Sequence, residues 1–216
     1  IRLKDCEEYP YFETRGLSRE FVLAENSLCN VDSEGEIVRD PKGNPVLECM
    51  CGNVIRGHTD PAKPFFSDKG SFWTNSTTGL LASASEADKQ SRTRDRCNGE
   101  GYESVALVPL RQGDETLGLL QFNDSRRGKF DRSLLKTLER LADNLTIAIK
   151  QRHDAQKLRE SEEKFRKVFE EGAIGITLVD QDLNYIDINS RFCEMLGYKK
   201  DELLSRTFVD ITHPED

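Results

Sequence analysis

Two stretches of the chain carry strong hydrophobic periodicity. From Ser104 to Leu110 the period is two, with Val105 and Leu107 on one face and Val108 and Leu110 on the other, the pattern of a strand packed on both sides. Gln112-Gly113-Asp114-Glu115 reads as a turn, and Thr116–Asn123, with Gly118 inside it, as the returning strand. Together they predict an antiparallel hairpin. From 131 to 170 the period becomes helical. Leu134, Leu135, Leu138, Leu141, Leu145, Ala148 and Ile149 share one stripe, behind an Asp131 or Ser133 cap. Ala155, Leu158, Phe165 and Phe169 continue it as a weak heptad, after a phase break near Gln151. A helix of about 38 residues spans roughly 57 Å, too long for one small domain. It reads as a connector between two domains and as a seam for a second copy of the chain.

Weaker signals fill the remainder. Residues 1–23 predict a hairpin, with a polar turn at Asp5–Glu8, and then a short helix capped by Ser18 and running to Glu25. Residues 30–46 are turn-rich, and Glu36–Val38 with Pro45–Leu47 predict a small excursion hairpin. Cys49–Cys51 reads as a strand, with Gly52 ending it and opening a helix. In a strand, Cys49 and Cys51 would face the same side. Residues 58–100 are weakly patterned. Phe65, Phe66, Phe72 and Trp73 read mainly as core anchors, Thr74–Thr78 as cap and turn residues, and Glu86–Arg96 as a charged helix or loop. From 171, Ile176–Asp180 and Leu183–Asn189 read as two strands. Asn189 or Ser190 then caps a short helix ending at Gly197, and a further turn covers Lys200–Leu204.

Composition narrows the class. The 216 residues carry 31 basic and 39 acidic side chains, a net charge of -8. That balance argues against a nucleic-acid or anionic-membrane surface. Arg92, Arg94 and Arg96, and Arg126, Arg127 and Lys129, read as solvated loop clusters. No run is long enough to span a membrane, and no signal peptide is evident. The first residue is Ile1, so the chain reads as a cytoplasmic piece of a longer protein.

Cys6 and Cys193 read as incidental among the six cysteines. Cys29, Cys49, Cys51 and Cys97 form the candidate set for a redox signal or a ligand, with His58 beside them. Four thiolates can hold zinc or an iron–sulfur cluster. The spacing C-x19-C-x-C-x45-C lacks paired C-x2-C knuckles, and free cysteines are often simply buried. No P-loop, H-E-x-x-H or G-x-S-x-G motif occurs.

Two family resemblances follow. Gly172-Ala173-Ile174-Gly175-Ile176, the turn at Asp180, Asn189-Ser190-Arg191-Phe192, Leu196-Gly197-Tyr198 and Phe208–Asp216 resemble the first half of a PAS sensor domain. Leu158–Arg166 resembles the helix that leads into such domains. The remaining helix and three strands of that family are absent, which implies an incomplete pocket. Cys51–Ile55, Gly101–Leu110 and Gly118–Asn123 resemble a GAF domain lacking its opening helix, over residues 1 to about 150. In that fold the cysteine-bearing connections surround the usual pocket.

The resemblance implies an α+β protein. A GAF-type antiparallel sheet flanked by helices would occupy 1–130, a long connecting helix 131–170, and a partial PAS-type domain 171–216. It also implies a sensory piece of a multidomain signalling protein, most often a histidine kinase. A small ligand or redox signal would act in the GAF pocket and pass through the helix of a homodimer to a kinase output domain in the same parent chain. Some GAF domains hold haem, which makes the thiols and His58 candidate ligands. Others reduce free methionine sulfoxide, which would make Cys49 or Cys51 with Cys97 a thiol enzyme's nucleophile and resolving pair.

Overall fold

The computed structural model describes residues 1–83 and 94–212. The charged stretch after Ser83, with Arg92, and the terminal run from His213 lie outside them. The chain forms two compact units, Ile1–Lys150 and Gln151–Asp216.

The first unit is built on a four-stranded antiparallel sheet of order β1-β4-β3-β2. Its strands are β1 (Arg2–Leu3), β2 (Phe72–Thr74), β3 (Ser104–Gln112) and β4 (Glu115–Asp124). The β3–β4 hairpin forms where alternation predicts it, with Gln112 paired to Glu115 around Gly113. Gly113 takes φ +58°, the left-handed geometry a tight hairpin turn needs. Pro109 is accommodated inside β3 because β2 pairs only Val105–Leu107, leaving that flank of Pro109 without a strand partner. Gly118 admits β1: a side chain there would meet the Arg2 carbonyl oxygen at 2.3 Å.

Four helices accompany the sheet: α1 (Arg19–Ala24), α2 (Cys49–Arg56), α3 (Thr77–Ser83) and α4 (Arg96–Gly99). Ser18 caps α1 by accepting from the Phe21 N–H at 3.1 Å. The excursion is present as isolated bridges, Val31 to Ile37 and Arg39 to Pro45, and its base pairs Cys29 with Leu47.

The two faces of the sheet bury different partners. On one, Phe72, Val105, Leu107 and Leu119 pack with Cys51, Val54 and Ile55 of α2 and with Leu28, Cys29 and Leu47. On the other, Val108, Leu110 and Leu120 pack with Leu135 and Ala142 of α5 (Arg132–Glu171), joined by Trp73, Leu138, Leu145 and Ile149. Of the helical stripe read from Leu134 to Ile149, Leu135, Leu138, Leu145 and Ile149 pack on the sheet, joined by Ala142, whereas Leu134, Leu141 and Ala148 are exposed. Asp131 caps the helix by accepting from the Leu134 N–H at 2.7 Å.

The second unit holds the later part of α5, the hairpin β5 (Thr177–Val179) and β6 (Tyr185–Ile188), and the helices α6 (Ser190–Leu196) and α7 (Lys200–Leu204). Asn189, fully buried, accepts from the Phe192 and Ile176 N–H groups and donates to the carbonyls of Phe169 and Ile174. It thus caps α6 and ties it to the hairpin and to the end of α5. Residues 151–168 of α5 are exposed along their whole length. No helix among the described residues is long and apolar enough to cross a membrane.

Candidate functional site

The segment read as a strand at Cys49–Cys51 is the first turn of α2. The alternation there covers only three residues. Burial instead follows Cys51, Val54 and Ile55, the i, i+3, i+4 spacing of a helix. Gly52 makes this docking possible, because a Cβ there would lie 2.7 Å from the Leu47 backbone carbon. Residues two apart do not face each other in a regular helix. Cys49, however, has φ +65°, a left-handed conformation that costs a non-glycine residue on the order of 1–2 kcal/mol. Through that turn its sulfur meets the Cys51 thiol at the helix start.

Hydrogen bonds from the Cys51 thiol and from the backbone N–H groups of Cys51 and Arg94 lower the Cys49 pKa to about 7 against its burial. The helix N-terminus adds its own preference for negative charge. Cys51 moves the other way: its bond to Cys49 and its burial hold its thiol well above the ordinary range. Burial, then the charge of Cys49, pushes Cys97 up to about 12. The side-chain amides of Gln121 and Asn123 donate to the Cys97 sulfur at 3.7 and 3.8 Å. Gln121 in turn accepts from the Tyr11 hydroxyl at 2.8 Å.

The three thiols line one apolar pocket of about 80 Å³, with Phe72, Val105 and Leu107 of the sheet and Leu80 of α3 among its walls. The segment carrying Cys97 is clamped over it. Arg94 donates to a Glu48 carboxylate oxygen at 2.8 Å and to the Ser27 carbonyl at 2.8 Å. Glu25, buried, sits 3.3 Å from the Arg96 guanidinium and 3.7 Å from that of Arg94. Arg94 is thus a half-buried structural cation rather than the solvated loop residue expected from its cluster. Glu25 and Glu48 lie far from it in sequence, and no short-range pattern announces the clamp. Arg126 and Arg127 remain exposed and pair with Asp124 and Glu103.

Cys29 does not join the pocket. It pairs with Leu47 at the base of the excursion, and burial, then a hydrogen bond with Glu8, pushes its thiol up to about 12. His58 follows the C-terminus of α2, exposed, with its N–H on the Asn53 carbonyl at 2.9 Å. It lines a separate polar groove of about 610 Å³ with Asn30, Asp40, Lys42, Asn44 and Arg56. Cys49 lines both cavities.

The zinc, cluster and haem expectations fit this arrangement poorly. Cys29, the fourth thiol of the expected set, lies outside the pocket that Cys49, Cys51 and Cys97 line. No group of three or more His, Cys, Asp or Glu residues among the described ones is placed to hold a metal ion. At about 80 Å³ the thiol pocket is far below the size of ordinary ligand sites and too small for a porphyrin, and the larger groove has the charged Asp40, Lys42, Glu48 and Arg56 in its walls where such a ring wants apolar ones.

A charged group on the opposite face of the sheet links α5 to this pocket. Glu139, buried, accepts from the hydroxyls of Ser67 at 2.5 Å and Ser71 at 2.7 Å. Ser71 is followed directly by Phe72, a wall of the thiol pocket.

Comparison with known proteins bears on both units. Residues 61–149 match the family described as the GAF domain, and residues 163–216 match that described as the PAS domain. A protein of Escherichia coli strain K12 named as the probable diguanylate cyclase DgcE is 38% identical over 65 residues, which are 30% of this chain and 6% of that protein. The chain thus spans a small fraction of that relative. A solved domain assigned to a two-component sensor histidine kinase of Sinorhizobium meliloti 1021 aligns at a TM-score of 0.41 and 16% identity, over 74% of this chain and 81% of that one. On these matches the chain is an α+β protein carrying two sensory domains of signal transduction, a GAF domain at 61–149 followed by a PAS domain at 163–216.

Proposed function

We propose that this chain is a redox-responsive sensory module of a cytoplasmic signalling protein, with the thiol pocket as its input and α5 as its output. One observation carries the reading: Cys49 is held near pKa 7 against two protonated neighbours, Cys51 and Cys97, in a single pocket. A thiolate at neutral pH reacts with oxidants, while its protonated neighbours remain available to resolve the product. The output route is short. Phe72 walls the pocket, the adjacent Ser71 bonds Glu139 of α5, and oxidation that moves Phe72 changes that bond.

The partner in this reading is a second copy of the chain, met along α5. Leu158 and Phe165, seven residues apart, are exposed, as is Val168, a spacing suited to a coiled-coil seam. The parent would carry a histidine kinase or similar output domain. Sedimentation tests the dimer: the chain should sediment as twice its mass, and Phe165→Asp should reduce it to one; a monomeric wild type contradicts the pairing. Incubating the reduced chain with hydrogen peroxide tests the input. Loss of free thiol at Cys49 before Cys29, with Cys51 or Cys97 consumed along with Cys49 but not ahead of it, supports it; loss of Cys29 as fast as Cys49, or no loss at Cys49, overturns it. Catalytic turnover of free methionine sulfoxide would instead assign the same thiols to an enzyme.

A further inference from the structure

Cys49 stands where two unlike cavities meet. On one side lies the 80 Å³ apolar pocket, with the other two thiols. On the other lies the polar groove, between the excursion at 30–47 and α2, with about 610 Å³ of space. Hydrogen peroxide is hardly larger than water and needs no such groove. A volume of that order is typical of sites for small organic ligands.

The walls of the groove define the chemistry of an occupant. Its two carboxylates are already engaged: Asp40 accepts from the N–H groups of Lys42 and Asn44 at 2.8 and 2.9 Å, and Glu48 holds Arg94. Its cations are not matched in this way, since neither Lys42 nor Arg56 has a carboxylate within ion-pair distance among the described residues. Arg56 gives one N–H to the Pro45 carbonyl at 2.6 Å. Asn30, Asn44 and Asn53 add amide donors and acceptors. The groove therefore offers two cations and several amides beside a reactive sulfur.

We propose that this groove binds a carboxylate-bearing, peptide-sized disulfide of the glutathione class and delivers it to Cys49. The proposal rests on the redox reading above and names its oxidant. The Cys49 thiolate attacks one sulfur of the disulfide RSSR, forming a Cys49–S–S–R bond and releasing RS⁻. That thiolate takes the proton of Cys51, whose sulfur then attacks the Cys49 sulfur and releases the second RS⁻, which is protonated from water. The chain gives up two electrons and the one proton of Cys51 to form a Cys49–Cys51 disulfide, water supplies the second proton, and RSSR becomes two RSH.

The test uses the reduced chain and three probes: oxidised glutathione, cystamine and hydrogen peroxide. Cystamine is a disulfide with amines in place of carboxylates. Free thiol at Cys49 is followed by peptide mass spectrometry, with Cys51→Ser included to trap the mixed disulfide. Oxidised glutathione should react at least ~10-fold faster than cystamine at low salt. The Lys42→Glu variant, whose side chain makes no hydrogen bond among the described residues, should lower the ratio of the glutathione rate to the peroxide rate by a similar factor. Equal rates for the two disulfides, or an unchanged ratio in Lys42→Glu, overturns the groove as a binding site and leaves the redox reading standing. If none of the three oxidants consumes Cys49, the redox reading fails and takes the proposal with it.

Discussion

The rate at which iodoacetamide alkylates Cys49 should rise with pH through a midpoint near 7, below that of an ordinary thiol at about 8.5. Cys51→Val removes the thiol donor that contributes most to this shift. It should move the midpoint up and slow alkylation at pH 7 by about tenfold, because a normal thiol is only a few per cent ionised there. An unchanged midpoint would show that the Cys51 thiol is not the donor. Two other cysteines predict a global effect. Cys29 and Cys97 are pushed up to about 12 in the fold, whereas the unfolded chain ionises them at about 8.5. The folded state then holds more protons, so stability is full below the unfolded pKa and falls as pH climbs from about 9 toward 12. Urea midpoints across that range should fall, and Cys29→Ala with Cys97→Ala should flatten the slope. At this scale the sequence singled out Cys29, Cys49, Cys51 and Cys97 but not which of them share a pocket, from which Cys29 stands apart. The left-handed turn at Cys49 and the Arg94 clamp to Glu25 and Glu48 depend on residues brought together only by folding.

Among the elements, α2 and α5 pack on opposite faces of one sheet. Gly52→Ala forces a Cβ into the Leu47 backbone and should destabilise the first unit by about 1–3 kcal/mol, measurable as a lower urea midpoint. Because it displaces the start of α2, it should also raise the Cys49 alkylation midpoint. Glu139→Ala removes the acceptor of the Ser67 and Ser71 hydroxyls and leaves that of the buried Ser71 unpaired, at about 1–3 kcal/mol. The long elements were legible because their periodicity is long: the bounds of β3, β4 and α5 fell within a residue or two of expectation, although Leu134, Leu141 and Ala148 of the expected stripe are exposed. The strand expected at Cys49–Cys51 failed because three alternating residues do not distinguish a strand from a helix start. The spacing of Val54 and Ile55, one turn beyond Cys51, carried the helical signal.

At the scale of the whole molecule, the division falls at Lys150 and Gln151, where the hydrophobic stripe of α5 changes phase. The residues before it face the GAF sheet, and those from 151 to 168 are exposed. In the proposed reading, an input alters the packing of the first half of the helix and the second half pairs with a copy. A ligand or oxidant shifts such an equilibrium only if the two packings differ in free energy toward it. The most direct measurement is hydrogen exchange of residues 132–150 in the reduced chain and after oxidation at Cys49. Faster exchange in this segment on oxidation, abolished by Cys49→Ser and already present in Glu139→Ala, is the predicted result. Unchanged exchange in a chain shown by mass spectrometry to be fully oxidised at Cys49 would contradict it.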